Sequence, residues 1–183
     1  MRLYRQTVED FGIYAGKELS EETFRQLKIS AGQMSAKMRA VRIISASNVS
    51  KKDLQQRLVQ KGEDPEQAKQ AVSWLAEMDL LDDRKTAEQV VSSCIRKGYG
   101  VGRAKQALYE KRIPKEYWEE ALADYPDQLD AIRSFLQSRL GASRDDKSLR
   151  KAIDALIRRG HSYGNIRKCL DSLSIDGDFP EEP

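Results

Sequence analysis

The stretch "SCIRKGYGVGRAKQAL", Ser93 to Leu108, sets three glycines at alternate positions between basic residues. A phosphate-cradling loop of this kind needs a strand before it and a helix after it. The residues before it oppose the strand. Ala87, Val90, Val91, Cys94 and Ile95 follow helical spacing and do not alternate. The glycine spacing is also one residue short of the dinucleotide pattern. A turn between two helices explains the same residues. Gly98 can take the left-handed conformation that ends a helix. Arg96 and Lys97 complement the negative end of its dipole. Gly100 then stands at the N-cap of the next helix.

The pattern recurs along the chain. "RLVQKGEDPEQAKQAV" begins at Arg57, "LYEKRIPKEYWEEAL" at Leu108 and "LIRRGHSYGNIRKCL" at Leu156. Take Gly62, Gly98, Arg112 and Gly160 as equivalent. Four residues earlier stand Leu58, Cys94, Leu108 and Leu156. Six residues later stand Ala68, Ala104, Trp118 and Ile166, and ten later Val72, Leu108, Leu122 and Leu170. Gly62 and Arg112 are 50 residues apart, and Arg112 and Gly160 are 48 apart. Gly98 falls inside the middle unit, so the period implies three helices per repeat, and repeats of this length stack. The same offsets carry the N-cap at Gly100 to Ser50 and Ser148.

These observations predict an all-α protein of three tandem three-helix, helix-turn-helix-like repeats stacked into an elongated curved array, with a short N-terminal extension. The repeats are expected at 35–81, 82–126 and 127–174. Pro65 and Pro114 should open the third helices of the first two. Residues 1–34 do not fit the repeat. Their aromatic and β-branched residues around Gly12 and Gly16 suggest a short strand or extended arm, followed by a helix starting near Ser20. The acidic tail, 175–183, is expected to be disordered.

Composition excludes several classes. The chain has 183 residues, 39% hydrophobic and 33% charged, and no apolar run long enough to span a bilayer. Its N-terminal stretch lacks the apolar core of a secretory leader, so a cytoplasmic protein is expected. Cys94 and Cys169 form no CxxC pair and read as small core residues. His161 is the only histidine and has no catalytic motif around it. Asp82 reads as a helix N-cap with Asp83 in the first turn. We therefore expect no catalytic residue, no cofactor and no metal. Trp74 and Trp118 read as core.

At this level the middle unit resembles a known family. "LLDDRKTAEQVV" (80–91) followed by "RKGYGVGRAKQAL" (96–108) is similar to the middle repeat of the RecX regulatory proteins. "KKDLQQRLVQKG" resembles their first-unit segment and "LRKAIDALIRRGHSYGNIRKCL" their third. The likeness covers about residues 35 to 173. Arg112 departs from it, standing where the family has glycine. The resemblance implies a regulator that binds the RecA recombinase filament on single-stranded DNA. It implies inhibition of RecA ATPase and strand exchange, and so modulation of homologous recombination, DNA repair and the SOS response. From the mild net charge, weak and sequence-blind DNA contact of the chain's own is expected at most, and a monomer is expected.

Charge is patterned more than it is strong. The net charge is only +3, yet 96–112 and 150–168 each carry six basic residues and one acidic one. The candidates for contact with RecA or DNA are the basic residues near helix turns. In the second repeat these are Arg96, Lys97, Arg103, Lys105, Lys111 and Arg112. In the third they are Arg150, Lys151, Arg158, Arg159, Arg167 and Lys168. The competing reading of the same residues is a sequence-nonspecific nucleic-acid-binding helical repeat protein. A plainer reading gives some of them only the task of complementing helix C-termini.

Overall fold

The structure, a computed structural model, describes residues 3–141 and 145–173. All regular structure among them is helical, as the repeat predicts. The expected disordered tail lies outside the described residues. No described helix is long and apolar enough to cross a membrane. The chain forms two compact units, Met1–Thr86 with Lys111–Ile113, and Ala87–Glu110 with Pro114–Pro183.

The first unit holds α1 (Arg5–Asp10), α2 (Glu21–Ala46), α3 (Lys51–Gln60), α4 (Pro65–Glu77) and the start of α5 (Asp83–Arg96). The expected strand or arm is a short helix instead. Arg5 pairs with Glu9 and Gln6 with Asp10, each four residues apart, which supports one helical turn. Ser20 caps α2, accepting from the Thr23 N–H. α2 runs unbroken through residues 34 and 35. Its buried face is small, with Ala31, Ala36 and Ala40, so α4 can approach closely. A Cβ on Gly32 would collide with the Gln67 side chain. Leu54, Leu58 and Leu75 fill the core, with Trp74 packed at its edge under Lys37. Pro65 stands in the first turn of α4, with Asp64 as N-cap.

The second unit holds the rest of α5, then α6 (Val101–Glu110), a 3₁₀ turn (Lys115–Tyr117), α7 (Trp118–Leu122), α8 (Leu129–Leu140), α9 (Asp146–Arg158) and α10 (Tyr163–Ser172). Pro114 leads into the 3₁₀ turn, not directly into an α-helix, and Trp118 is half-buried where its equivalents are fully buried. Ile132, Leu136, Ile153, Leu156, Ile166 and Leu170 form the core between α8, α9 and α10. Ser148 is not an N-cap. Asp145 caps α9 by accepting from the Ser148 N–H at 2.9 Å, because the helix begins one turn earlier than the repeat offset suggests.

All four equivalent turn residues have positive φ: +88° at Gly62, +63° at Gly98, +54° at Arg112 and +83° at Gly160. At the three glycines the following N–H reaches back to the last buried residue of the helix. Glu63 donates to Leu58 O at 3.1 Å, Tyr99 to Cys94 O at 3.0 Å and His161 to Leu156 O at 3.2 Å. This is the Schellman closure, which satisfies carbonyls that a helix end leaves open.

Candidate functional site

In the second unit, the glycines of the 98–102 stretch meet the turn at Gly160. The Gly100 N–H donates to Arg159 O at 2.8 Å and the Gly102 N–H to Gly160 O at 3.1 Å. A Cβ on Gly100 would overlap the Gly160 carbonyl, and a Cβ on Gly160 would overlap the Arg103 backbone. The amides that a phosphate loop would present to an anion are thus committed to carbonyls. Glycine is needed because two backbones touch.

Side chains secure the same place. His161 is buried, with Nε2 3.1 Å from Gly98 O and Nδ1 3.1 Å from Gln128 Oε1. A carbonyl can only accept, so Nε2 carries the single proton of the neutral ring, and Nδ1 accepts from Gln128 with the carboxamide turned to present its NH2. Burial pushes the His161 pKa below the usual imidazole range, partly opposed by the Gly98 bond and reinforced by Arg159. The Tyr125 hydroxyl donates to Tyr99 O at 2.8 Å. Burial, with Cys94 nearby, raises its pKa to about 12. Burial also raises both thiols, Cys94 and Cys169. A protonated buried thiol is a poor nucleophile, which fits the core reading of both.

In the first unit, the turn at Lys111–Ile113 meets the start of α3. Ser50 Oγ accepts from the Asp53 N–H at 3.1 Å and donates to Lys111 O at 2.6 Å. Lys111 Nζ donates to Asn48 O at 2.6 Å. Arg112 pairs with the buried Asp53 at 3.1 Å, and Arg57 holds the other carboxylate oxygen at 2.9 Å. Asp82 caps α5, accepting from the Arg84 N–H at 2.8 Å. Asp83 accepts from the Lys51 N–H at 2.8 Å, joining the starts of α5 and α3. Each carboxylate of the pair therefore has a structural task.

The twelve basic candidates do not share one environment. Lys111 and Arg112 belong to the joint just described. Arg103 pairs with Glu110 at 3.0 Å, and together with Gln106 it lowers the Glu110 pKa. Arg159 lies over the rings of Phe135 and Tyr99, 4.8 Å and 5.9 Å from their centroids. Arg96, Lys97, Lys105, Arg150, Lys151, Arg158, Arg167 and Lys168 are exposed. Of these, Lys151 and Arg158 line one groove with Phe135 and Arg139. The sequence reading passed over Phe135 and Arg139. Their spacing of four on α8 was visible, but the α9 residues facing them were not.

A family model described as the second three-helix domain of RecX matches residues 82–122. The regulatory protein RecX of Halorhodospira halophila (strain DSM 244 / SL1) is 30% identical over 140 residues, covering 75% of this chain and 87% of that protein. The chain belongs to the RecX family. RecX of Vibrio parahaemolyticus serotype O3:K6 (strain RIMD 2210633) is 27% identical over 146 residues, covering 78% of this chain and 94% of its own. A crystal structure of regulatory protein RecX superposes with a TM-score of 0.70 over 92% of this chain and 86% of that one, at 19% identity. RecX from Lactobacillus salivarius gives 0.68 over 80% and 99%, at 20% identity. The helical fold is therefore that of RecX structures. The matched middle segment includes both the Asp82 cap and the glycine stretch.

Proposed function

We propose that this chain binds the RecA recombinase filament on single-stranded DNA and restrains its ATPase and strand exchange. It thereby modulates homologous recombination, DNA repair and the SOS response. Membership of the RecX family, over most of the length of its relatives, carries the reading. The role needs no catalytic residue or cofactor. The protein works as a cytoplasmic monomer whose repeats, 35–81, 82–126 and 127–174, present basic turns to the filament. Arg96, Lys97, Lys105, Arg150, Lys151, Arg158, Arg167 and Lys168 supply the contacts, since their side chains are exposed. Lys111, Arg112 and Arg103 act mainly inside the fold.

The test is RecA ATPase on single-stranded DNA with this protein added far below the amount of RecA. Strong inhibition at that ratio supports action on the filament, because so little protein cannot cover the DNA. Inhibition only at DNA-saturating amounts would replace this reading with nonspecific nucleic-acid binding.

A further inference from the structure

Three turns join the second and third helices of the repeats, at Gly62, Arg112 and Gly160, and two of them hold the start of another helix. The Arg112 turn holds α3 through Ser50, and the Gly160 turn holds α6 through Gly100 and Gly102. The Gly62 turn holds none among the described residues. Its backbone is nearest to that at Gly160, with φ of +88° against +83°. At Gly160 a Cβ would overlap Arg103 of α6, whereas at Gly62 it would meet nothing within 4 Å. Lys61 O, the counterpart of Arg159 O, takes one bond, from Arg39 Nη1 at 2.9 Å. Gly62 O, the counterpart of Gly160 O, has no partner among the described residues. Where the other turns hold a helix start, this one borders a cleft of about 500 Å³, shared with α2 and the start of α4. Tyr4 lines the cleft from ahead of α1 but leaves Gly62 exposed. The buried Glu63 lines it too. Ser35 Oγ at 2.9 Å and Arg39 Nε at 2.7 Å both bond Glu63 Oε1, and Oε2 has no partner among the described residues.

A helix start carries amides that its own helix cannot use. Its positive end also suits the negative end of α3. The cleft offers three acceptors to such amides, Lys61 O, Gly62 O and Glu63 Oε2, since a carbonyl can take two bonds. Glu63 sharpens the fit. In the filled joint its counterpart, His161, donates to Gly98 O, two residues ahead of the Gly100 cap. A carboxylate accepts instead, so the incoming chain must present a donor where α6 presents a carbonyl. Lys28 and Arg42 stand at opposite ends of the cleft, fourteen residues apart on α2. That is roughly 21 Å along the helix, so its free cations do not converge on one anion. A phosphate in the middle would meet the carboxylates of Glu63 and Asp64. We infer that the cleft at the Gly62 turn is a docking site for the start of a helix from a protein partner, capped by glycine and preceded by an amine or N–H that faces Glu63. This does not rest on the filament reading, and the two can fail separately.

The probe is a peptide of residues 99–112 with a free amino end, stapled across the exposed positions 105 and 109 because so short a helix is marginal in water. Its ammonium falls beside the place of the Gly98 carbonyl, where Glu63 lacks a donor. It is titrated into the isotope-labelled full chain, without RecA, and the amide shifts are followed. Gly62, Glu63 and Asp64 should shift and saturate together, and the Gly160 turn, already filled, should not shift. Gly62→Asn should weaken binding about tenfold or more, since asparagine accepts the left-handed turn but puts atoms where the helix start must lie. Gly98→Asn, also at positive φ with open space beside it, should bind as the parent does. Two changes to the peptide leave the protein intact. Gly100→Val in the peptide should abolish binding. Acetylating its amino end restores a carbonyl opposite Glu63 and should weaken binding about tenfold. Circular dichroism checks that each protein variant is folded. No saturable shift at Gly62, Glu63 and Asp64, or equal binding by the Gly100→Val peptide, would overturn the inference. So would self-association of the parent protein that Gly62→Asn abolishes, which would give the site to a second copy. If the peptide does not bind yet the chain inhibits RecA ATPase, this inference falls and the filament reading stands. If the peptide binds as expected and RecA is unaffected, the filament reading falls and the docking site stands.

Discussion

The start of α3 in the first unit and the start of α6 in the second each receive a turn from one repeat later, at equivalent positions, through different groups. At α6 the joint is backbone against backbone. Gly100 and Gly102 donate amides to the carbonyls of Arg159 and Gly160, and no side chain fits between them. At α3 the donor is the Ser50 hydroxyl, the turn residue is Arg112, and its guanidinium reaches across to Asp53. One repeat geometry thus tolerates two chemistries. Backbones in contact require glycine, whereas backbones held further apart leave room for a cap and an ion pair. The glycine joint has no slack, since every substitution adds atoms where there is no volume. The side-chain joint has several partly independent parts.

Substitutions should expose that difference. The largest effect is expected for Gly160→Val, which meets both the positive φ and the Arg103 backbone. It should destabilise the second unit by about 3 kcal/mol, read from urea unfolding. Asp53→Ala removes the partner of Arg112 and Arg57, which are 40% exposed and can turn to water. A loss of about 2 kcal/mol is expected, below that of a fully buried pair. Ser50→Ala deletes a cap and the bond to Lys111 O, and should cost about 1 kcal/mol, read from the thermal midpoint. At Arg112, glycine relieves the left-handed strain but loses the pair, so Arg112→Gly should change stability by less than about 1 kcal/mol. A large loss there would mean that the ion pair, not the turn, holds the first joint.

The smallest contrast is in pH. His161 has a folded pKa below its ordinary value of 6.5, so the unfolded chain binds the proton more readily. Stability from the neutral ring is present above 6.5 and is lost as pH falls through the folded pKa. Hydrogen exchange at the Tyr99 amide should accelerate with acidification relative to that at Glu63 in the first unit. His161→Gln should remove the difference.

The repeat register was legible because it is local. Leu58, Leu108 and Leu156 are fully buried, and all four turn residues carry the positive φ that Gly62, Gly98 and Gly160 suggested. The partnership of Gly100 with Gly160 was not legible, since nothing in the spacing of one stretch names the carbonyl it will meet. Ser148 misled because Asp145 offers an equally good cap three residues earlier and the longer helix buries Leu149. Residues 4–10 misled because side-chain pairs four apart outweighed the strand preference of their neighbours. The basic candidates were visible as residues, but not their sorting. Lys111 and Arg112 are tied to residues some sixty positions away, and Lys151 and Arg158 share a groove with Phe135 only after α8 and α9 pack.

The first unit takes in Lys111–Ile113 although the rest of it ends at Thr86. That bears on synthesis. As the nascent chain leaves the ribosome, α2, α3 and α4 can collapse early, but Ser50 waits for its acceptor until Ile113 has emerged. At ordinary elongation rates the wait is on the order of seconds. A chain that ends between those points can keep the leucine core of α3 and α4 but lacks the Lys111 carbonyl that Ser50 donates to.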